Sequence, residues 1–512
     1  MSVPLSAYRI FCFLPIFFLG CGKSVDPASQ AALQLSACPG FVETGKPPLV
    51  FGAECGELSV KENPNDPASA DITLSILRLP AVSPAPAADP LFLIQGGPGG
   101  SSIDMASQIH GFFADVRKNR DLIFVDQRGT GKSNPLRCDQ LSAEDQKLPE
   151  AELHQKYLDT LKKCAEKYQA NAQFYTTPYA AQDLDAIRAA LGYAKINLWG
   201  GSYGTRVALE YARAYPQQTR ALILDGVAPV SIALPKYFAR DSFAALQAVN
   251  NECLARRECT AAFGDIVQKA ETVFQRLQAL QKNGTPLSIS FEHPRHQQTD
   301  TWIATPRAFS SLIFMSLYSR DLTVLLPRAI SRAEQEDYRL LAALSALAAE
   351  QMQQMNIMEG MRYSVICNED WLQVSAADIA QSEPFFGMDF VKDMQAICEF
   401  WPKATLPDDY WQPIKSDVPA LLLSGHHDPV TPEAWAKAVA EHLPNASLLA
   451  ASGGNHSIST EGCMPQLIAQ FIERASMTGI NTECAGYIKP LPLVLGANQK
   501  ASASSSSAGS DK

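Results

Sequence analysis

Short apolar runs recur along the first half of the chain and return after residue 418. Leu91-Phe92-Leu93-Ile94, Leu122-Ile123-Phe124-Val125, Ile196 to Trp199, Ala221-Leu222-Ile223-Leu224, Ala420-Leu421-Leu422-Leu423 and Ala446 to Ala450 are each bounded by polar or glycine-rich segments. Runs of this length fit strands buried on both faces. Ile72 to Leu79 alternates instead, as an outer strand does. Helical patterns lie between several of the runs, at Ala181 to Leu191 and at Arg206 to Tyr215, where Pro216 follows. Strands alternating with helices predict an α/β fold with a mostly parallel sheet.

From Pro229 to Pro419 that rhythm stops. No convincing buried strand is visible there, and the patterns are mainly helical, as at Ala262 to Gln281 and Leu322 to Glu359. The expected organisation is a first core segment over 38–228, a helical cap over 229–417 and a second core segment over 418–484. Residues 485–512 form an extension ending in a Ser- and Ala-rich tail. Met352, Met355, Met358 and Met361 recur every three residues, which reads first as helix packing and second as an adaptable channel lining. The remaining 46% hydrophobic composition is ample for a large core.

The N-terminus reads as an export signal over 1–20. Ile10 to Leu19 is about the length of a signal-peptide apolar region and too short to span a bilayer. Phe18-Leu19-Gly20-Cys21 resembles a lipobox, so Cys21 is the expected lipidation site and 21–37 a tether. A plain signal peptide cleaved nearby is the alternative. Gly22 follows Cys21, which in a Gram-negative cell would send the lipoprotein to the outer membrane; otherwise the product is periplasmic or secreted. Of twelve cysteines, setting aside Cys12 and Cys21 leaves ten, a number that suits disulfides in an oxidising compartment. Neighbour pairing would join Cys38 to Cys55, Cys138 to Cys164, Cys253 to Cys259, Cys367 to Cys398 and Cys463 to Cys484, though spacing alone leaves connectivity open. A net charge of −10 disfavours nucleic-acid partners. Membrane association is expected only through the N-terminal lipid, and oligomeric state is not legible.

Gly200-Gly201-Ser202-Tyr203-Gly204 matches the G-x-S-x-G pattern, with an apolar strand before it and an amphipathic helix after it. That context is what a nucleophile elbow requires. A serine hydroxyl needs a histidine to take its proton and a carboxylate to orient that histidine. In this fold the acid and then the histidine follow late strands. Asp428 follows Ala420 to Leu423, and His456 follows Ala446 to Ala450. The expected triad is therefore Ser202, Asp428 and His456. The glycine-rich loop after Ile94 offers the Gly97 N–H, which with the Tyr203 N–H would form an oxyanion hole. His426 and His427 are adjacent on extended backbone and point apart, so no metal is expected. Gly131-Lys132-Ser133 lacks the earlier glycine of a phosphate loop, and no cofactor is implied.

Gly-Gly-Pro-Gly-Gly at 96–100, Asp-Gln-Arg-Gly-Thr-Gly at 126–131, the elbow at 200–204, Asp-Pro-Val-Thr-Pro at 428–432 and the Gly453 to His456 loop together resemble the prolyl iminopeptidase and tripeptidyl aminopeptidase group of α/β-hydrolases. Gln95 departs from the pattern, standing where many relatives have His. The resemblance implies an α/β-hydrolase fold and a serine exopeptidase cutting peptides near a free N-terminus through an acyl-enzyme. A carboxylesterase or lipase using the same triad is the alternative. An exopeptidase needs an anion for the substrate α-ammonium, and the cap acids Glu359, Glu369 and Asp370 are the candidates.

Overall fold

The computed structural model describes residues 33–38, 50–142, 144–145 and 148–495. The proposed signal segment, Cys21 and the Ser- and Ala-rich tail lie outside them. A nine-stranded sheet runs in the order β1-β2-β3-β5-β4-β6-β7-β10-β11. Its strands are β1 (Ser36–Ala37), β2 (Glu54–Lys61), β3 (Asp71–Leu79), β4 (Leu91–Ile94), β5 (Leu122–Val125), β6 (Ile196–Gly201), β7 (Thr219–Asp225), β10 (Ala420–Gly425) and β11 (Ala446–Ala451). β1, β2, β3 and β5 pair antiparallel along that edge, and every pairing from β5 to β11 is parallel.

Period two explains why the inner strands are apolar throughout. Phe92 and Ile94 join the core on one face with Leu198, Leu222 and Leu422. Leu91 and Leu93 join the core on the other with Trp199, Ile223 and Leu423. Both faces are covered, so no polar alternation survives. The order β5-β4-β6 reverses the direction of winding at β4. Crevices form at such reversals, beyond the carboxyl ends of the strands, and the loops after β4, β6, β10 and β11 converge there.

Between β7 and β10 the chain leaves the sheet and builds its own core of helices, including Phe238–Leu254, Ile266–Lys282, Pro306–Tyr318 and Arg339–Gln354. The segment also holds a hairpin, β8 (Leu287–Glu292) with β9 (Thr299–Ala304). The hairpin is mostly exposed, which is why it lacks the apolar run of a buried strand. The single long pattern expected over Leu322 to Glu359 is in fact three helices, Arg320–Thr323, Leu326–Glu334 and Arg339–Gln354. Pro327 suits a first helical turn and starts the second of them. The methionine series consequently spans a helix break. Met352 and Met355 line the central cavity, while Met358 and Met361 are buried against the sheet.

Five disulfides join Cys38–Cys55, Cys138–Cys164, Cys253–Cys259, Cys367–Cys398 and Cys463–Cys484. Such bonds form and persist in oxidising compartments. No helix among the described residues is long and apolar enough to cross a membrane.

The Asp126 to Gly131 loop is held from within. Asp126 accepts hydrogen bonds from Ser101 Oγ at 2.7 Å and from the Ile103 and Lys132 N–H groups at 3.1 Å each. It thereby fixes the start of the helix that follows the glycine-rich loop. Arg128 is fully buried and forks onto Asp183, with both contacts at 2.7 Å, while donating to the Glu62 and Phe174 carbonyls. Removing one partner of such a pair strands the other charge. Arg128→Met is expected to cost about 3–5 kcal/mol, read as a lowered urea midpoint; a midpoint equal to wild type would refute this.

Candidate active site

Ser202 has φ 55° and ψ −125°. Non-glycine residues rarely adopt such a backbone. Crowding around the turn leaves no room for neighbouring side chains. A Cβ on Gly200 would lie 2.3 Å from the Gly204 carbonyl oxygen, and one on Gly204 2.3 Å from that of Ile94. The Ser202 N–H donates to the Asp225 carbonyl at 2.8 Å, tying the turn to the end of β7. The helix Tyr203–Ala214 starts immediately afterwards, so its N-terminal dipole lies beside the hydroxyl.

Asp428 and His456 are brought together from the loops after β10 and β11. Asp428 Oδ2 lies 2.9 Å from His456 Nδ1. Asp428 Oδ1 accepts the Val430 N–H at 2.9 Å and the Thr431 N–H at 2.8 Å. The Thr431 hydroxyl lies 2.7 Å from Asp428 Oδ2 and 3.1 Å from His456 Nδ1, so it donates to the carboxylate at the same oxygen the imidazole uses. Asp225 accepts the Ile458 and Ser459 N–H groups at 2.8 Å each, anchoring the histidine loop. Tyr318 meets the imidazole edge-on, with ring centroids 5.0 Å apart.

These contacts set the proton affinities. Burial alone would raise Asp428, but His456 and the Thr431 donors outweigh it and hold the carboxyl below its ordinary value. Burial alone would lower His456, but Asp428, with Asp225 behind it, holds the imidazole above its ordinary value.

Ser202, His456, Gln95, Gly96 and Gly97 all line one cavity of about 910 Å³, roofed by cap residues such as Phe314, Tyr318 and Met355. The glycine-rich loop runs against the elbow: a Cβ on Gly96 would lie 2.8 Å from Ser202 Cβ and 3.3 Å from the Tyr203 nitrogen. The glycine-rich loop thus passes beside the Tyr203 amide at Gly96. The cap also touches this loop, through the Met358 N–H donating to the Gly99 carbonyl at 2.9 Å.

Two expected amine-binding residues do something else. Glu369 and Asp370 lie on one turn of π-helix, Ile366–Asp370, and are completely buried. Asp370 takes Arg206 in a fork at 2.8 and 3.0 Å and the Leu234 N–H at 2.9 Å. Glu369 accepts from the Thr177 N–H at 2.6 Å, the Thr177 hydroxyl at 2.7 Å, and the Tyr410 hydroxyl. Neither lines the cavity, so neither can meet a substrate amine. They join the cap to the helix behind Ser202. Glu359 does not line the cavity either, but it is half-buried and accepts the Tyr157 hydroxyl at 2.9 Å, and Tyr157 and Tyr363 stand in the cavity wall. His427 pairs with Glu252 at 2.9 Å. Thr431, Tyr318 and Asp225 were not singled out from sequence. Thr431 lay within the quoted Asp-Pro-Val-Thr-Pro segment, whereas Tyr318 comes from a cap helix with no local signal.

A family profile described as alpha/beta hydrolase fold matches residues 89–288, and one described as TAP-like protein matches residues 383–484, which include Asp428 and His456. The chain has the α/β-hydrolase fold. The serine protease Hip1 of Mycobacterium tuberculosis is 27% identical to this hydrolase over 450 residues, covering 82% of this chain and 85% of that protein. The tripeptidyl aminopeptidase of Streptomyces lividans is 28% identical over 225 residues, 41% of this chain and 40% of its own. Among solved structures, proline iminopeptidase of Mycobacterium smegmatis aligns at 17% identity with a TM-score of 0.41, covering 82% of this chain and 98% of that one.

The raised His456 value fixes a pH dependence. A general base must be neutral, and neighbouring carboxylates favour the imidazolium. Hydrolysis should therefore rise with pH through a midpoint above the ordinary histidine value of 6.5. Asp428→Asn removes the main pull, so the midpoint should move down while kcat falls about 10³–10⁴-fold. Thr431→Val should lower kcat/KM by about tenfold, the worth of one hydrogen bond to a charged group. A pH–rate profile of the three proteins checks this, and an unmoved acid limb in Asp428→Asn would contradict it.

Proposed function

We propose that this hydrolase is an exported serine exopeptidase that cuts peptide bonds near a free N-terminus through an acyl-enzyme. The observation that carries the reading is the Asp428–His456 pair in one cavity with Ser202, under a large cap that closes over the strand ends. In this reading His456 takes the Ser202 proton as the hydroxyl attacks the scissile carbonyl, and Asp428 holds the imidazolium that forms. The Gly97 and Tyr203 amides hold the oxyanion, and His456 returns the proton to the leaving amine. Water then repeats the cycle on the acyl-enzyme. The names of the relatives, serine protease and tripeptidyl aminopeptidase, support peptides over simple esters as substrates. Glu369 and Asp370 are engaged elsewhere, and Glu359, the trio's half-buried member, would act on the substrate α-ammonium only through the Tyr157 hydroxyl it accepts. Lipidation at Cys21, with the envelope location it implies, belongs to the same reading.

The test compares fluorogenic peptide amides bearing a free N-terminus, their N-acetylated forms and a short-chain aryl ester, on wild type and Ser202→Ala. Cleavage confined to the free-amine peptides and lost in the variant is the expected outcome. Ester cleavage without peptide cleavage would make the protein an esterase. For Cys21, the intact mass of the membrane-extracted protein should exceed the polypeptide from residue 21 by a diacylglycerol and an acyl chain. A lipid-free mass would remove the anchor.

A further inference from the structure

Two of the arginines in the cavity wall are paired with acids. Arg307 meets Asp393 at 2.7 Å and Arg320 meets Glu461 at 2.6 Å. Asp225 is occupied by two backbone amides and Asp428 by His456, Thr431 and two more. Arg362 also lines the cavity, yet no carboxylate among the described residues lies within ion-pair distance of it. Its Nε is fully covered and has no hydrogen-bond acceptor. Around it stand the rings of Tyr363, whose centroid is 6.0 Å from the guanidinium carbon, Tyr157 and Tyr318, and the Glu359 carboxylate acts on its charge without an ion-pair contact. Glu359, one helical turn earlier, is the nearest acid in sequence, and its Oε1 accepts from Tyr157. The guanidinium thus faces the cavity with its Nε covered and no carboxylate bonded to it, a position from which its fork can receive an anion that arrives with a ligand.

The surroundings place that ligand close to the reacting bond. Arg362 sits on the helix Glu359–Val365, whose entry is pinned to the glycine-rich loop by the Met358–Gly99 hydrogen bond. It also lies in the electrostatic neighbourhood of Tyr318, the ring that abuts His456. Around these groups the cavity is apolar and soft, with Met315, Met352, Met355 and Met394 in its wall. Methionine adapts to varied side chains, whereas a guanidinium fork is matched to a carboxylate.

We propose that Arg362 is a specificity-determining residue that binds a carboxylate on one of the two substrate residues preceding the scissile bond, so that the enzyme prefers an acidic side chain there. The proposal rests on the peptidase reading for the kind of substrate, and on Arg362 alone for the charge. The rival role is a structural cation packed on Tyr363.

The experiment measures binding separately from turnover. Tripeptide amides carrying Glu, Gln or Lys at the second or third position are titrated calorimetrically into Ser202→Ala and Ser202→Ala/Arg362→Met. The matching fluorogenic peptides are assayed on wild type, Arg362→Met and Arg362→Lys. At one of the two positions Glu should bind and react about tenfold or more better than Gln. That ratio should fall to near one in Arg362→Met and be partly kept in Arg362→Lys. A structural cation would instead lower all substrates together and leave the ratio intact. Should Arg362→Met fail to fold, the wild-type ratios and Arg362→Lys still decide. A wild-type Glu-to-Gln ratio of one or less at both positions overturns the proposal. If no peptide is bound or cut, the peptidase reading fails by itself. The 4-nitrophenyl esters of valeric acid and of adipic acid monoanion then report on Arg362: preference for the anionic ester, lost in Arg362→Met, supports the subsite, and its absence overturns it.

Discussion

Everything in the catalytic region depends on holding Ser202 in a left-handed backbone conformation. At φ 55° the turn stores strain of about 1–3 kcal/mol, which it can keep only if the chain on both sides is fixed. β6 supplies one side, paired with β4 and β7 and buried along its length. The helix Tyr203–Ala214 supplies the other. Gly200 and Gly204 let the two backbones pass at distances that a methyl group would forbid. The β7 end serves twice, since the Asp225 carbonyl binds the Ser202 amide and its carboxylate binds the histidine loop. One residue thereby references both halves of the triad to the same strand.

The second constraint is the buried charge cluster behind the elbow. Arg206 stands one helical turn after Ser202 and meets Asp370 and Glu369. Tyr203, which would supply an oxyanion amide, shares the Thr177 hydroxyl with Glu369. Burying these groups is expensive, and such clusters are seldom the most stable solution for a core. What they do provide is position. An apolar replacement could pack with equal energy, but it would not fix the helix that carries Ser202 against the cap by direction-specific bonds. Cap and sheet are joined at a point within one turn of the nucleophile.

The sheet was legible because both of its faces are buried. Doubly buried strands show as uninterrupted apolar runs, so β4 to β7 and β10 stood out, and the half-exposed β11 was legible from its small and apolar composition. The partly exposed strand β2, next to the edge, and the hairpin β8–β9 did not, because exposed strands tolerate polar residues at every second position. The proposed triad could be named from sequence because chain order and loop position restrict the choice even where spacing does not. Glu369 and Asp370 were misread for a physical reason: an acidic pair in a cap fits an amine site and a buried ion pair equally well. Only the position of Arg206, more than 160 residues earlier, distinguishes them. Tyr318 and Arg362 were invisible for the same reason, since cavity-facing positions on cap helices acquire meaning only when the helices are packed.

The ties between cap and core bear on how substrate could be sensed. Met358 binds the glycine-rich loop through Gly99, and Ile357 packs on Gly97. Three residues further on, Met361 is buried against Gly129 of the Asp126 loop. Asp126 in turn fixes the helix that follows the glycine-rich loop. The segment 355–363 therefore contacts the cavity on one side and the oxyanion loop on the other. A side chain that settles among Met352, Met355 and Tyr363 presses on the same short stretch that positions the Gly97 amide. The cap lining and the glycine-rich loop are thus separated by one hydrogen bond and one layer of side chains.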